Sequence, residues 1–446
     1  MPPAAPEPAP GAAELPPALR GLSRGRILRR LFLEYFRISL FVVGGGYAII
    51  AAADEAFGRR LKWLREGELL EHLPVFQMIP GLIAGNSAIY VGLRAAGIAG
   101  VATALVAVAL PSFLVILAIA FGYSGLPMDR PWIQGAFLGL RSALTGIVAA
   151  TMLASWPRVM RGAYAHAAFA AALVALLGAG ASPARVLVAG MLLGVAWEGA
   201  RALLPRRRGD AAAPPAPAPG RARDVLAGLW PAALLAVALA VASPTIFPTF
   251  VKFGLLCFGG GNVLVPVYTR EFVGPDAPLL RLTPEDFGNL LGITQVTPGP
   301  ISVNAATFFG YRLAGAAGSL AATIGLLLPS FFLMVVALRS LDRWRRNPVV
   351  KGLLWGVAPA TVALMAVAAL LFARMSVFDG PLSPDAVLDW ALRRARPAGE
   401  AFRVRPAAVL LAAGSAWALF RGRARIMPLM LGCAALGALV FPPLGN

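Results

Sequence analysis

Apolar segments of membrane-crossing length recur along this chain from Leu31 to its C-terminal end, with short polar gaps between them. The pattern predicts spans over 31–56, 72–93, 99–122, 134–156, 163–180 and 183–200 in the first half. In the second half it predicts 225–243, 246–268, 286–309, 315–338, 349–373, 405–420 and 425–441. Two kinds of interruption break these runs. One is a triple glycine, Gly44, Gly45 and Gly46 in LFVVGGGYAII and Gly259, Gly260 and Gly261 in LCFGGGNVLVP. The other is Pro80-Gly81 and, later, Pro298-Gly299-Pro300. Lipid offers no partner to backbone N–H and C=O groups, so breaks at membrane depth imply burial in protein or a lined cavity. The elements at 31–56, 72–93 and 286–309 are therefore expected to be broken or re-entrant.

The interruptions belong to a repeat. The triple glycines lie 215 residues apart. Residues 77–113 align without gaps on 295–331, with 17 of 37 positions identical. The matches include Gln, Asn, Arg, both prolines and several glycines, which a bias toward alanine and leucine does not produce. PWIQGAFLGL at 131–140 also matches PVVKGLLWGV at 348–357. The expected organisation is a disordered, basic N-terminal tail (1–30), a first module (31–200) and a basic Pro/Ala-rich linker (201–224). A second module (225–375) follows, then a basic loop with a C-terminal helical hairpin (376–446). Duplicated modules are a common plan of secondary transporters, with the site at the repeat interface.

Composition strengthens the membrane assignment: 58% of the residues are hydrophobic and only 14% are charged. The formal charge of +19 sits in short gaps such as Arg24–Arg30, Arg206–Arg208 and Arg343–Lys351. That placement suits cytoplasmic loops and anionic lipid rather than nucleic acid. Matched loops carry opposite bias: RRLKWLR is basic where GPDAPLLRLTPED is acidic, and DRWRRNPVVK is basic where SGLPMDRPW is nearly neutral. This predicts an inverted repeat. The fold expected is an all-α polytopic membrane protein of two homologous modules with broken or re-entrant helices. The two cysteines and two histidines form no metal-ligand spacing, so no metal or other cofactor is expected.

A broken helix offers uncapped N–H groups and the positive end of its dipole, which suit an anion. Helix starts near Tyr47, Leu82, Asn262 and Ile301 are the candidate donors. Gln77 and Gln295 precede the proline–glycine breaks, and Asn86 and Asn304 follow them. Thr294, Thr297 and Ser302 add hydroxyls in the second half alone. The recurring cations are Arg37 with Lys252 and Arg94 with Arg312, candidates for anion attraction or gating or for anchoring helix ends. Glu34, Asp54, Glu55 and Glu271 are candidates for ion pairing or proton coupling. LPSF, at 110–113 and 328–331, is read as a kink or packing motif.

FGGGNVLVPVYTREFV, followed by TPEDFGNLLGITQVTPGPISVNAATFFGYRLAGAAGSLAATIGLLLPSF, resembles the chromate ion transporter family. The resemblance implies chromate transport across the bacterial inner membrane by a multi-pass protein, with sulfate as the chemically similar oxyanion. It carries the family motif onto Gly259, Gly260, Gly261, Gln295, Pro298, Gly299, Pro300, Asn304 and Gly310. The first module carries it onto Gly44, Gly45, Gly46, Gln77, Pro80, Gly81, Asn86 and Gly92. That module departs from the motif with VGGG and MIPGL, and Leu82 replaces the last proline. Asn262, Thr297 and Ser302 complete the substrate-binding set expected from the residues themselves. The expected partners are chromate or sulfate and membrane lipid, not nucleic acid, and a homodimer is an allowed assembly. A transporter of another anion and an anion channel remain open alternatives. An enzyme is not expected, because no nucleophile–base or carboxylate cluster lies in the shared motifs.

Overall fold

The computed structural model describes residues 17–42, 46–202, 235–380, 402–422 and 425–441. Gly44 and Gly45, most of the predicted N-terminal tail and linker, and much of the 376–446 loop lie outside the described residues. Among the described residues the architecture is helical, apart from a two-residue antiparallel ladder pairing Phe378–Asp379 with Arg403–Val404 and an isolated Val273–Leu282 bridge.

Helix α1 (Arg24–Phe41) takes in the basic cluster that precedes the first apolar run. It stops at the glycine break, and α2 (Gly46–Asp54) continues as a π turn over Glu55–Arg60. The chain reverses at this break. The rings of Tyr35 and Phe57, on opposite sides of it, sit with centroids 5.0 Å apart, and Glu34 pairs with Arg60 at 2.5 Å. Short α3 (Glu68–Glu71) and α4 (Leu73–Met78) lead to the proline–glycine break. There the chain reverses again into α5 (Ile83–Tyr123).

α5 is not one rod. Ala96 and Gly97 leave helical geometry, Gly97 at φ +66°, where only glycine sits without strain. Gly92 then packs backbone to backbone on Gly100, so the helix folds into a tight hairpin. Its first arm has about 13 residues and is ~20 Å long, too short for a bilayer, while the second arm is long enough. Helices α6 (Pro131–Val159), α7 (Ala163–Leu173, with a π turn to Gly178) and α8 (Pro183–Ala202) follow.

The second half repeats the plan. Helix α9 (Ile246–Leu256) reaches Gly259, and a 3₁₀ turn over Gly261–Leu264 opens α10 (Val265–Phe272). Phe253 packs on Phe272 with centroids 6.0 Å apart, and Lys252 Nζ lies 2.6 Å from Glu271 Oε1, so this pair is again a hairpin. Helix α11 (Pro284–Val296) starts on a Thr283 cap and ends at the proline–glycine–proline break. α12 (Ile301–Arg346) folds back at Ala314–Gly315, with Gly310 against Gly318. α13 (Pro348–Ser376), α14 (Pro406–Phe420) and α15 (Ile426–Val440) complete the described helices.

Among the described residues, four segments are long and apolar enough to cross a membrane: Ile83–Tyr123, Pro131–Val159, Ile301–Leu338 and Pro348–Ser376. The halves are interlocked. α8 of the first packs on α13 of the second through Gly190 and Gly194 against Gly352 and Gly356. In return α15 packs on α6 through Gly437 and Cys433 against Gly135 and Gly139. Small residues let the backbones approach closely where lipid supplies no hydrophobic drive between helices. One apolar core gathers α9–α13 with parts of α6 and α8. A second gathers α1–α5 with Phe331–Leu338 of α12.

Candidate functional site

The four hairpin tips meet. At the first proline–glycine break, the Gly81 N–H donates to the Cys257 carbonyl at 2.7 Å, just ahead of the second triple glycine. At the other break, the Gly299 N–H donates to the Val42 carbonyl at 3.3 Å, just ahead of the first triple glycine. Each break is thus fastened to the glycine tip of the opposite half. Such reciprocity, in which i meets j′ and i′ meets j, is the mark of two-fold symmetry. The LPSF serines complete the exchange. A Cβ on Gly81 would collide with Ser330, and a Cβ on Gly299 would collide with Ser112. Ser330 Oγ also accepts the Leu82 N–H at 3.2 Å.

Within each half, the two helix starts lie side by side. A Cβ on Gly46 would stand 3.0 Å from Ile83 Cβ and 3.2 Å from the Ala84 nitrogen. A Cβ on Gly261 would stand 2.8 Å from Ser302 Oγ and 3.1 Å from the Ser302 nitrogen. Glycine here permits close approach of backbone to backbone. Gly259 and Gly260, at φ +72° and +120°, also occupy the region that L side chains avoid.

Around these starts lies a cavity of about 110 Å³, well above the ~10–15 Å³ that one water needs. Each of the four starts contributes to its wall: Gly46–Tyr47, Leu82–Ala84, Gly259–Asn262 and Pro300–Ser302. Gln295 of α11, Ile147 and Thr151 of α6, Met365 of α13 and Ile426 of α15 fill in the rest. No charged side chain among the described residues lines it. The first four N–H groups of an α-helix have no partner inside it. Neither Leu82 nor Gly260, which precede two of the starts, makes a capping side-chain bond. Each helix end carries a nominal charge of about +0.5, so crowding four of them together is unfavourable without a compensating anion.

The polar side chains divide into lining and support. Gln295 Nε2 donates to Asn262 Oδ1 at 2.6 Å, and both residues line the cavity. Their counterparts make the matching bond, Gln77 Nε2 to the Tyr47 hydroxyl at 2.6 Å, with Tyr47 alone on the wall. Asn86 and Asn304 lie behind the wall. Asn86 Nδ2 donates to the Phe76 and Ile79 carbonyls at 2.9 and 3.1 Å. Asn304 Nδ2 donates to the Thr294, Thr297 and Pro298 carbonyls at 2.9, 3.1 and 3.3 Å. These bonds tie a helix start to the turn before the break and close the hairpin. Pro80, Gly81, Thr297, Pro298 and Gly299 likewise shape the breaks without lining the cavity.

The recurring cations are elsewhere. Arg94 pairs with Glu68, which also accepts the Tyr90 hydroxyl at 2.5 Å and the Arg65 N–H at 2.9 Å. Burial pushes the Glu68 carboxyl pKa up, but the Tyr90 and Arg65 bonds and the Arg94 charge hold it below its ordinary value. Lys252 is exposed and paired with Glu271, while Arg37 and Arg312 are exposed. Asp54 accepts the Gly67 and Leu69 amides at 2.9 and 3.0 Å, and Glu55 pairs with Arg59 at 3.2 Å. Glu34, Asp54, Glu55 and Glu271 are therefore all engaged in holding loops and hairpins. Two residues the sequence reading left aside are the LPSF serines, whose role depends on the opposite half.

A family model described as "Chromate transporter" matches residues 29–195 and 244–438. The chain is similar to a chromate transport protein of Cupriavidus metallidurans, 27% identical over 371 residues, covering 82% of this chain and 87% of that one. A probable chromate transport protein of Synechococcus elongatus is 24% identical over 366 residues, covering 79% of this chain and 86% of that one. An uncharacterized transporter of Methanocaldococcus jannaschii is 26% identical over 351 residues, covering 77% and 84%. No solved structure matches the chain.

Proposed function

This chain belongs to the chromate transporter family, and on that footing we propose that it carries a tetrahedral divalent oxyanion, chromate or sulfate, through the cavity between its four helix starts. It is a multi-pass membrane transport protein with an internal repeat, not an enzyme. The observation that carries the finer reading is the convergence of four helix N-termini, two from each half, on one cavity that no charged side chain among the described residues lines. Four ends at about +0.5 each balance a dianion. The backbone amides of Ile83, Ala84, Gly261, Asn262, Ile301 and Ser302 are its donors. Ser302 and the NH₂ of Asn262, whose oxygen is committed to Gln295, add side-chain donors on the second half's side.

Binding by main-chain dipoles rather than by lysine or arginine leaves no fixed side-chain ion in the site, so a dianion is held without forming an ion pair. The two modules form an inverted repeat in the bacterial inner membrane. The tips lie near mid-depth, because the ~20 Å first arms of α5 and α12 descend partway through a hydrocarbon core of about 30 Å. Rocking of one set of hairpins against the other opens the cavity to alternate sides. Each charge moved outward across 100 mV, interior negative, gains about 2.3 kcal/mol, which favours export.

The test is flux of labelled chromate and sulfate in proteoliposomes of the full chain. Gly261→Val fills the space between the Gly261 and Ser302 starts and is expected to cut flux by more than about tenfold, the equivalent of ~1.4 kcal/mol of lost binding. The variant must still elute as a monodisperse species. Unchanged flux overturns the reading. Saturable counterflow is expected for a carrier, and its absence alongside rapid flux assigns a channel instead.

A further inference from the structure

The strongest feature outside the cavity is Arg141, in the middle third of α6. It is 9% exposed, and its Nε and Nη1 have no hydrogen-bond partner. No carboxylate among the described residues lies within ion-pairing distance of it. Two further buried polar atoms without partners accompany it, the Tyr123 hydroxyl at the end of α5 and Asn289 Oδ1 on α11. The Tyr123 hydroxyl lies within electrostatic reach of both Asn289 and Arg141. The side chain of Arg141 crosses α11 at Gly288, where a Cβ would stand 2.7 Å from Arg141 Cδ. Glu285, Asp286 and Arg405 lie within electrostatic reach of Arg141, with Arg405 itself bound to Asp379 at 3.2 Å.

A guanidinium removed from water and left unpaired is strongly unfavourable, and arginines inside spans face pathways for that reason. The fold has built this site deliberately: a glycine clears the way for the side chain, and two neutral polar groups stand beside it. The position lies on two of the helices that wall the cavity. Ile147 of α6 and Gln295 of α11 both line the cavity. Each is six residues along its helix from this cluster, about 9 Å at 1.5 Å per residue. Between them, Thr145 Oγ1 meets Ser376 Oγ at 3.0 Å. The repeat does not duplicate the site, since the counterparts of Arg141 and Tyr123 are Ala358 and Leu341.

We infer that Arg141, with Tyr123 and Asn289, is a second oxyanion site, a way station between the central cavity and one membrane face, occluded in the present conformation. It rests on the transport reading above, and it gives the pathway a one-sided polarity that the repeat alone lacks. The guanidinium, whose Nε and Nη1 have no partner, offers charge-assisted N–H donors to the anion, joined by the Tyr123 hydroxyl.

The test is equilibrium binding of labelled sulfate and of labelled chromate to the purified full chain, with flux measured in parallel. Wild type is expected to show two binding components. Arg141→Met should delete one of them and slow flux by about tenfold or more, the loss of a charge-assisted contact. Arg141→Lys should retain part of that component. Tyr123→Phe, the variant least disturbing to folding, should weaken the same component by about threefold to tenfold. Two components and wild-type flux in a monodisperse Arg141→Met protein overturn the proposal, as does a single component in wild type. Gly261→Val keeps the two readings apart. Loss of the other component there supports the central site whatever Arg141 does, and survival of both components overturns the central site alone.

Discussion

At the residue scale, the decisive positions are those where glycine is imposed by another chain segment rather than by its own turn. Gly299 sits at φ +95°, and its missing Cβ would meet Ser112 and stand 3.1 Å from Ser39 Oγ. Gly299→Ala therefore carries a backbone cost of about 1–2 kcal/mol in addition to the collision. The substitution is expected to lower the thermal midpoint in detergent sharply. Introduced into a Ser112→Gly background it should cost less, since the collision with Ser112 disappears and the φ strain and the tight approach to Ser39 remain. That non-additivity is the signature of direct contact. Purely additive effects would mean that Ser112 does not seat Gly299. The importance of these glycines was legible in the sequence, because they recur beside prolines in apolar runs. Their partners were not. LPSF reads as a kinked helix in one dimension, and nothing in its spacing shows that its serine abuts the break of the other half. Arg141 was missed for the opposite reason: the repeat draws the eye to matched positions, and Arg141 is matched by Ala358.

At the element scale, each half is built from two hairpins and a third fold-back, and the breaks are legible for a physical reason. Proline removes a donor and glycine admits left-handed backbone, so their clusters mark places where a helix stops. The spacing of 72–93 and 99–122 likewise anticipates the turn at Ala96–Gly97. What a break cannot disclose is the direction in which the chain leaves it. Asn86 and Asn304 decide that here. Read from sequence as anion ligands, they point their NH₂ groups at carbonyls of the preceding turn and close each hairpin. Asn304→Ala should consequently act on stability first. Losing its buried bonds to the break carbonyls is expected to cost about 2–4 kcal/mol, seen as a lowered thermal midpoint. Oxyanion affinity in the protein that remains folded should stay within about threefold of wild type, a shift under ~0.7 kcal/mol. A variant with normal stability and lost binding would return Asn304 to the ligand shell.

At the scale of the whole molecule, the reciprocal bonds Gly81–Cys257 and Gly299–Val42 require two-fold symmetry between the halves, but they do not orient its axis. An axis along the membrane normal would make the repeat parallel, and one in the membrane plane would invert it. We propose the inverted arrangement, because the loop after the long arm of α5 is nearly neutral while the one after the long arm of α12 carries DRWRRNPVVK. The prediction is opposite sidedness for matched loops. Leu126 and Val349 are exposed at 41% and 49% and lie at these two junctions, whereas the native Cys257 and Cys433 are buried. Leu126→Cys in intact cells should react with a membrane-impermeant maleimide, and Val349→Cys only after the membrane is permeabilised. Labelling of both from the same side would make the halves parallel. The two sets of hairpins would then face the same way, and alternating access by rocking one inverted half against the other would lose its structural basis.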